Sequence, residues 1–127
     1  MNKILVSIAV MISLLSFTVL QSSREDMVNA LKQGNAEQFV KYFDNSIDVK
    51  LPNSDEMKGV PKAQAAATVK SFFTENTISS CTITSQRENG GTMYITGKLQ
   101  GASNYNVTAM IKSAGDKFSI ITLRINN

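Results

Sequence analysis

MVNALKQGNAEQFVKYFDNSIDVKLP, residues 27–52, is the stretch whose reading decides the fold. Met27, Ala30 and Leu31 fall at helical spacing, with Asp26 and Lys32 on the polar side. Gly34 stands where a helix ends, because glycine accepts a positive φ without a Cβ clash. Asn35 then caps a second helix, with Gln38 three residues on to complete a capping box. Ala36, Phe39, Val40 and Phe43 form that helix's buried stripe. Asp44-Asn45-Ser46 ends it, and Ile47, Val49 and Leu51 alternate with Asp48 and Lys50 as a half-buried strand. On this reading Gly34→Asn is milder than Gly34→Ala, since asparagine tolerates the left-handed conformation better.

The chain has 127 residues, enough for one domain with one core. Its first residues differ from the rest. Lys3 precedes an almost wholly apolar run, Ile4 to Leu20, and no other charge appears before Arg24. Residues 1–23 therefore read as a secretory signal peptide, followed by a single domain over 24–127. The rival reading is an uncleaved membrane anchor, since the run approaches a spanning length. Without residues 1–23, Lys+Arg falls from 13 to 12 against 10 Asp+Glu, a net charge of +2. The basic residues are dispersed in sequence, which argues against nucleic acid as a partner.

After Pro52 the chain turns at Asn53-Ser54-Asp55, and Glu56 to Val60 reads as a short edge strand. Pro61 suits a helix start, and Lys62 to Glu75 is the helix body. Ala63, Ala66, Ala67, Val69 and Phe73 mark its apolar side, widened by Phe72, and it is expected to lie across the later sheet. From Ser79 the period changes to two. Cys81 and Ile83, then Met93, Ile95 and Leu99, then Tyr105, Val107, Ala109 and Ile111 share one face. Asn89-Gly90-Gly91 signals a tight hairpin. Gly101–Asn104 and Ala114–Asp116 are the other turns. In the closing strand, Phe118 and Ile120 have one parity and Ile121, Leu123 and Ile125 the other, so a bulge near Ile120–Ile121 is expected to bring both sets inward. Thr82, Thr84, Tyr94, Thr96 and Thr108 fall on the outer face. The fold class is α+β: two N-terminal helices and a third packed on a bent antiparallel sheet.

Three segments carry a resemblance: ALKQGNAEQFVKYFDNSIDVKLP (30–52), PKAQAAATVKSFF (61–73) and GDKFSIITLRI (115–125). Together with the order of elements, they resemble the nuclear-transport-factor-2-like superfamily, and within it small exported bacterial domains of unknown function. The resemblance implies a cone in which helices close over a bent sheet. Some members are enzymes, ketosteroid isomerase, scytalone dehydratase and limonene epoxide hydrolase among them, with polar catalytic groups inside the cone.

The chemistry available is narrow. The chain has no histidine and one cysteine, so the commonest general base is missing and a zinc or iron site is not expected. No cofactor motif is present. Cys81 shares the apolar face and reads as a buried, inert thiol. Carboxylate–phenol chemistry remains, with Asp48 the strand carboxylate to test, although its parity points outward. Arg124 reads as a surface cation in an ion pair. Tyr42, Phe43, Phe73 and Tyr105 are the expected lining of a ligand cavity at the open end of the cone. Against this stands a cone filled by Met93, Met110 and the aromatics, leaving the threonine-rich outer sheet as a face through which two copies could pair. The function expected is a non-catalytic envelope module that binds a small apolar ligand or a protein. The alternative is a cofactor-independent enzyme using Asp or Tyr within the cone.

Overall fold

The computed structural model describes residues 24–114 and 117–127; the expected leader over 1–23 and positions 115–116 of the expected Ala114–Asp116 turn lie outside them. The helix-break signal at Gly34 is realised as a Schellman closure. Helix α1 covers residues 24–32, and Met27, Ala30 and Leu31 are its buried side. Gly34 has φ +65°; its N–H donates to the Leu31 carbonyl at 3.0 Å, and the Asn35 N–H donates to Ala30 at 2.8 Å. Two carbonyls that a helix end leaves orphaned are thereby satisfied. Asn35 caps helix α2 (Ala36–Phe39), its Oδ1 accepting from the Gln38 N–H at 3.2 Å. The capping box stops at that half, because the Asn35 N–H is already committed to Ala30. The Gln38 amide oxygen accepts from Lys41 Nζ instead.

The second helix is shorter than expected: it tightens into a 3-10 turn over Val40–Tyr42, and strand β1 begins at once (Phe43–Lys50). Asp44-Asn45-Ser46 is therefore not a turn before the strand but lies inside it. Phe43 pairs with Ile120 and Asp48 with Thr122, so residues 44–47 stand against the single residue Ile121. The turn-forming residues are used as a wide bulge, with Asn45 and Ser46 exposed. The chain continues through β2 (Met57–Pro61), α3 (Lys62–Glu75), β3 (Ser80–Asn89), β4 (Thr92–Gln100), β5 (Asn104–Ala114) and β6 (Lys117–Asn126). The strand order is β2-β1-β6-β5-β4-β3. Sequential neighbours pair antiparallel, as short connections require, but β1 runs parallel to β6, so the sheet is mixed. Gly90 (φ +55°) and Gly91 (φ +80°) make the expected two-residue hairpin turn.

The bulge expected in the closing strand is present. Met110 pairs with Thr122 and Ile111 with Ile120, leaving Ile121 unmatched, and Ile120, Leu123 and Ile125 are all fully buried. A second irregularity leaves Thr84 unmatched between Ile83 and Ser85. These bulges bend the sheet around the core.

Helix α3 has the expected bounds but a different phase. Ala65, Val69, Phe72 and Phe73 are buried, at i, i+4, i+7 and i+8, while Ala63 and Ala67 are exposed. The two phenylalanines set the rotation, and the alanines follow. Nor does α3 lie across the later strands: it packs on β1, β2 and the α2 corner, reaching β5 through Phe72 against Tyr105. Met110 is a further correction. Its neighbours Ala109 and Ile111 point into the core, so Met110 lies on the outer face and does not help fill the cone.

Candidate functional site

The four nominated rings are distributed over three separate contacts. Phe43 is buried edge-on against Phe39, with centroids 6.0 Å apart. Phe73 is buried beside Phe72, and Phe72 meets the half-buried Tyr105 edge-on at 5.2 Å. Tyr42 stacks on Phe118 at 5.6 Å. Among the described residues no ring contact joins the three sets. Tyr105 donates its hydroxyl to Asn76 Oδ1 at 2.9 Å, an arrangement that fixes the α3 C-terminus to β5. Burial, and secondarily the nearby Asp26 carboxylate, raise the Tyr42 phenol above its ordinary pKa, so it remains protonated at neutral pH. Burial pushes the Cys81 thiol up to about 11, as an inert core thiol should be.

Among the described residues no polar or charged side chain is buried, and no buried side-chain nitrogen or oxygen lacks a partner. Asp48 faces outward, its Oδ1 accepting from the Gly59 N–H at 2.9 Å, which ties β2 to β1. Arg124 makes the expected surface ion pair, Nε to Glu56 Oε1 at 3.0 Å. Two clefts among the described residues are open grooves. One of about 590 Å³ runs along α1 between Arg24, Val28 and Gln86; another of about 390 Å³ lies between Leu51, Ala67 and Phe72.

The outer sheet face is where polar side chains are concentrated. Strand registry sets them in rows. One crosses Ser85, Thr96, Thr108, Arg124 and Lys50; the next crosses Arg87, Tyr94, Met110, Thr122 and Asp48. Thr96 Oγ1 lies 3.2 Å from Thr84 Oγ1 and donates to Ser85 Oγ at 3.0 Å. Gln100 donates to Thr82 at 3.0 Å and accepts from Ser80 at 2.9 Å. Sequence reasoning found the threonines and Tyr94 but missed Met110 and Thr122. The alternation Tyr105–Val107–Ala109–Ile111 already implied an outward Met110.

The profile of DUF4783, a domain of unknown function, matches residues 24–126. The chain belongs to the DUF4783 family. No curated protein matches it. A DUF4783 family protein from Bacteroides ovatus has a similar structure, with TM-score 0.73 and 22% identity, covering 80% of this chain and 92% of that one. One from Bacteroides uniformis gives 0.73 and 24%, over 81% and 94%. An NTF-2 like protein of unknown function from Shewanella oneidensis gives 0.58 and 12%, over 84% and 94%. The nuclear-transport-factor-2-like fold implied by the quoted segments is therefore the fold of this chain.

Proposed function

We propose that this DUF4783 domain is a non-catalytic binding module of the bacterial cell envelope, and that it engages a protein partner through the outer face of its sheet. The observation that carries this reading is the contrast between the two faces. The inner positions, Cys81, Met93, Ile95, Leu99, Val107, Ala109, Ile111, Leu123 and Ile125, are buried in the core and nearly inaccessible. The outer positions of the same strands are left open and carry hydroxyls around Tyr94 and Met110. Tyrosine and methionine are enriched at the centres of protein interfaces. Envelope location is supported by Lys3 and the apolar run that follows it. The enzymatic alternative needs a carboxylate and a phenol facing each other inside the cone, and Asp48 lies outside it, bonded to Gly59.

A photo-cross-linking residue, p-benzoylphenylalanine, placed at Thr108 in the native host tests this. A covalent adduct is expected from Thr108 and not from Lys70, which is exposed on α3. Adducts from Lys70 alone would move the binding surface to the helices and end the proposal.

A further inference from the structure

We infer that the partner on the outer sheet face is a protein bearing a rim of carboxylates. This rests on the reading of that face as the binding surface and specifies its chemistry. Registry brings together cations that are scattered in sequence. Arg87 lies at the β3 edge, Lys98 on β4, Lys112 on β5, Lys117 and Arg124 on β6, and Lys50 on β1. Lys98, Lys112, Arg124 and Lys50 point outward by alternation with the buried residues beside them, Arg87 by its pairing with Tyr94, and Lys117 by its alternation with Phe118 and Ile120. Against these six, among the described residues, stand three acids: Asp44, next to buried Phe43 on β1; Asp48, committed to the Gly59 N–H; and Glu56, committed to Arg124, while Glu88 beside Arg87 is committed to Arg24. Arg87, Lys98, Lys112 and Lys117 have no ion-pair partner among the described residues. The helical side is different: Arg24, Lys32, Lys41, Lys62 and Lys70 are mixed with Glu25, Asp26, Glu37 and Glu75. The modest net charge of the chain thus conceals a one-sided distribution.

The cations ring a neutral centre of Thr96, Thr108, Thr122, Tyr94 and Met110. At roughly 4.8 Å per strand and 3.4 Å per residue, the ring spans about 20 Å across the sheet and about 25 Å along it. That is on the scale of one side of a standard protein interface, about 800 Å². A neutral centre with a charged rim is also the anatomy of such interfaces. A glycan fits less well on the β3–β4 side, because the hydroxyls of Ser80, Thr82, Thr84, Ser85 and Thr96 and the Gln100 amide already bond to one another. A lipid surface fits less well, because the centre is mostly threonine and its two largest side chains, Tyr94 and Met110, are half-buried. A second copy would set one net-positive rim against another.

The test uses the Thr108 cross-linker in the native host, with and without Lys98→Glu and Lys112→Glu; both lysines are exposed, so folding should be unaffected. The expected adduct is a different protein, identified by mass spectrometry. Its purified form should bind the purified domain roughly tenfold or more weakly when both lysines are reversed, or when salt rises from about 50 to about 500 mM. An adduct that is a dimer of this chain, a lipid or a glycan overturns the inference and leaves the outer-face reading standing. A protein adduct indifferent to both salt and charge reversal does the same. No adduct from Thr108 overturns both.

Discussion

Replacing Gly34 should be costly for two reasons that add. With φ +65°, any side chain there sits in the left-handed region, which costs roughly 1–2 kcal/mol for alanine. A Cβ would also stand 2.8 Å from the Ser79 carbonyl carbon and 2.9 Å from the Ser80 nitrogen. Both atoms are backbone at the entry to β3, so relief requires moving the α1–α2 corner off the sheet. Overpacking of this kind costs about 1–3 kcal/mol. Gly34→Ala should therefore lose about 2–5 kcal/mol, and melting should fall by roughly 4–8 °C for each kcal/mol. Gly34→Asn is the informative comparison. From sequence it should be mild; with the Ser79 contact in place it carries the same Cβ and more bulk behind it, and should lose about as much as alanine. Urea titration of both variants against the parent is the assay. Gly34→Asn within about 0.5 kcal/mol of the parent would refute the close approach and leave φ as the only constraint.

Tyr105→Phe should cost about 1 kcal/mol, by orphaning the Asn76 oxygen, whereas Tyr105→Ala should cost about 3 kcal/mol or more through the lost packing on Phe72; chemical denaturation separates the two. Native Cys81 should resist thiol reagents near neutral pH and react only on unfolding. Its raised pKa also makes stability fall as pH rises through the interval from about 9, where the unfolded thiol ionises, to about 11, where the folded one does, and Cys81→Ala should flatten that part of the profile. The envelope form should begin between Gln21 and Glu25 by intact mass; a full-length mass in the membrane fraction would favour the uncleaved anchor.

Local signals were read well where one residue type dictates one backbone state. Gly34, Gly90–Gly91 and the parity change at Ile120–Ile121 each announced its geometry. Asp44-Asn45-Ser46 announced a turn and is a bulge, because pairing with β6, more than seventy residues away in sequence, converts the polar residues into an excursion within a strand. The phase of α3 was misjudged because alanine fits either side of a helix, and only the docking of Phe72 and Phe73 decides which alanines are covered. The cationic ring was invisible for the same physical reason. Its members are separated by eleven or more residues except at Lys112–Lys117 and Lys117–Arg124, and only registry brings them to one face.

Oxidative footprinting of Met110 tests the central claim most directly. Met110 and Met57 are both half-buried in the isolated chain, Met110 on the outer sheet face and Met57 at the β2 edge, while Met27 and Met93 are buried. Hydroxyl-radical labelling should oxidise Met110 and Met57 in the purified domain. In the intact envelope Met110 should be protected severalfold while Met57 is unchanged. Equal oxidation of Met110 in both settings would mean that nothing covers the outer face, and would contradict the account.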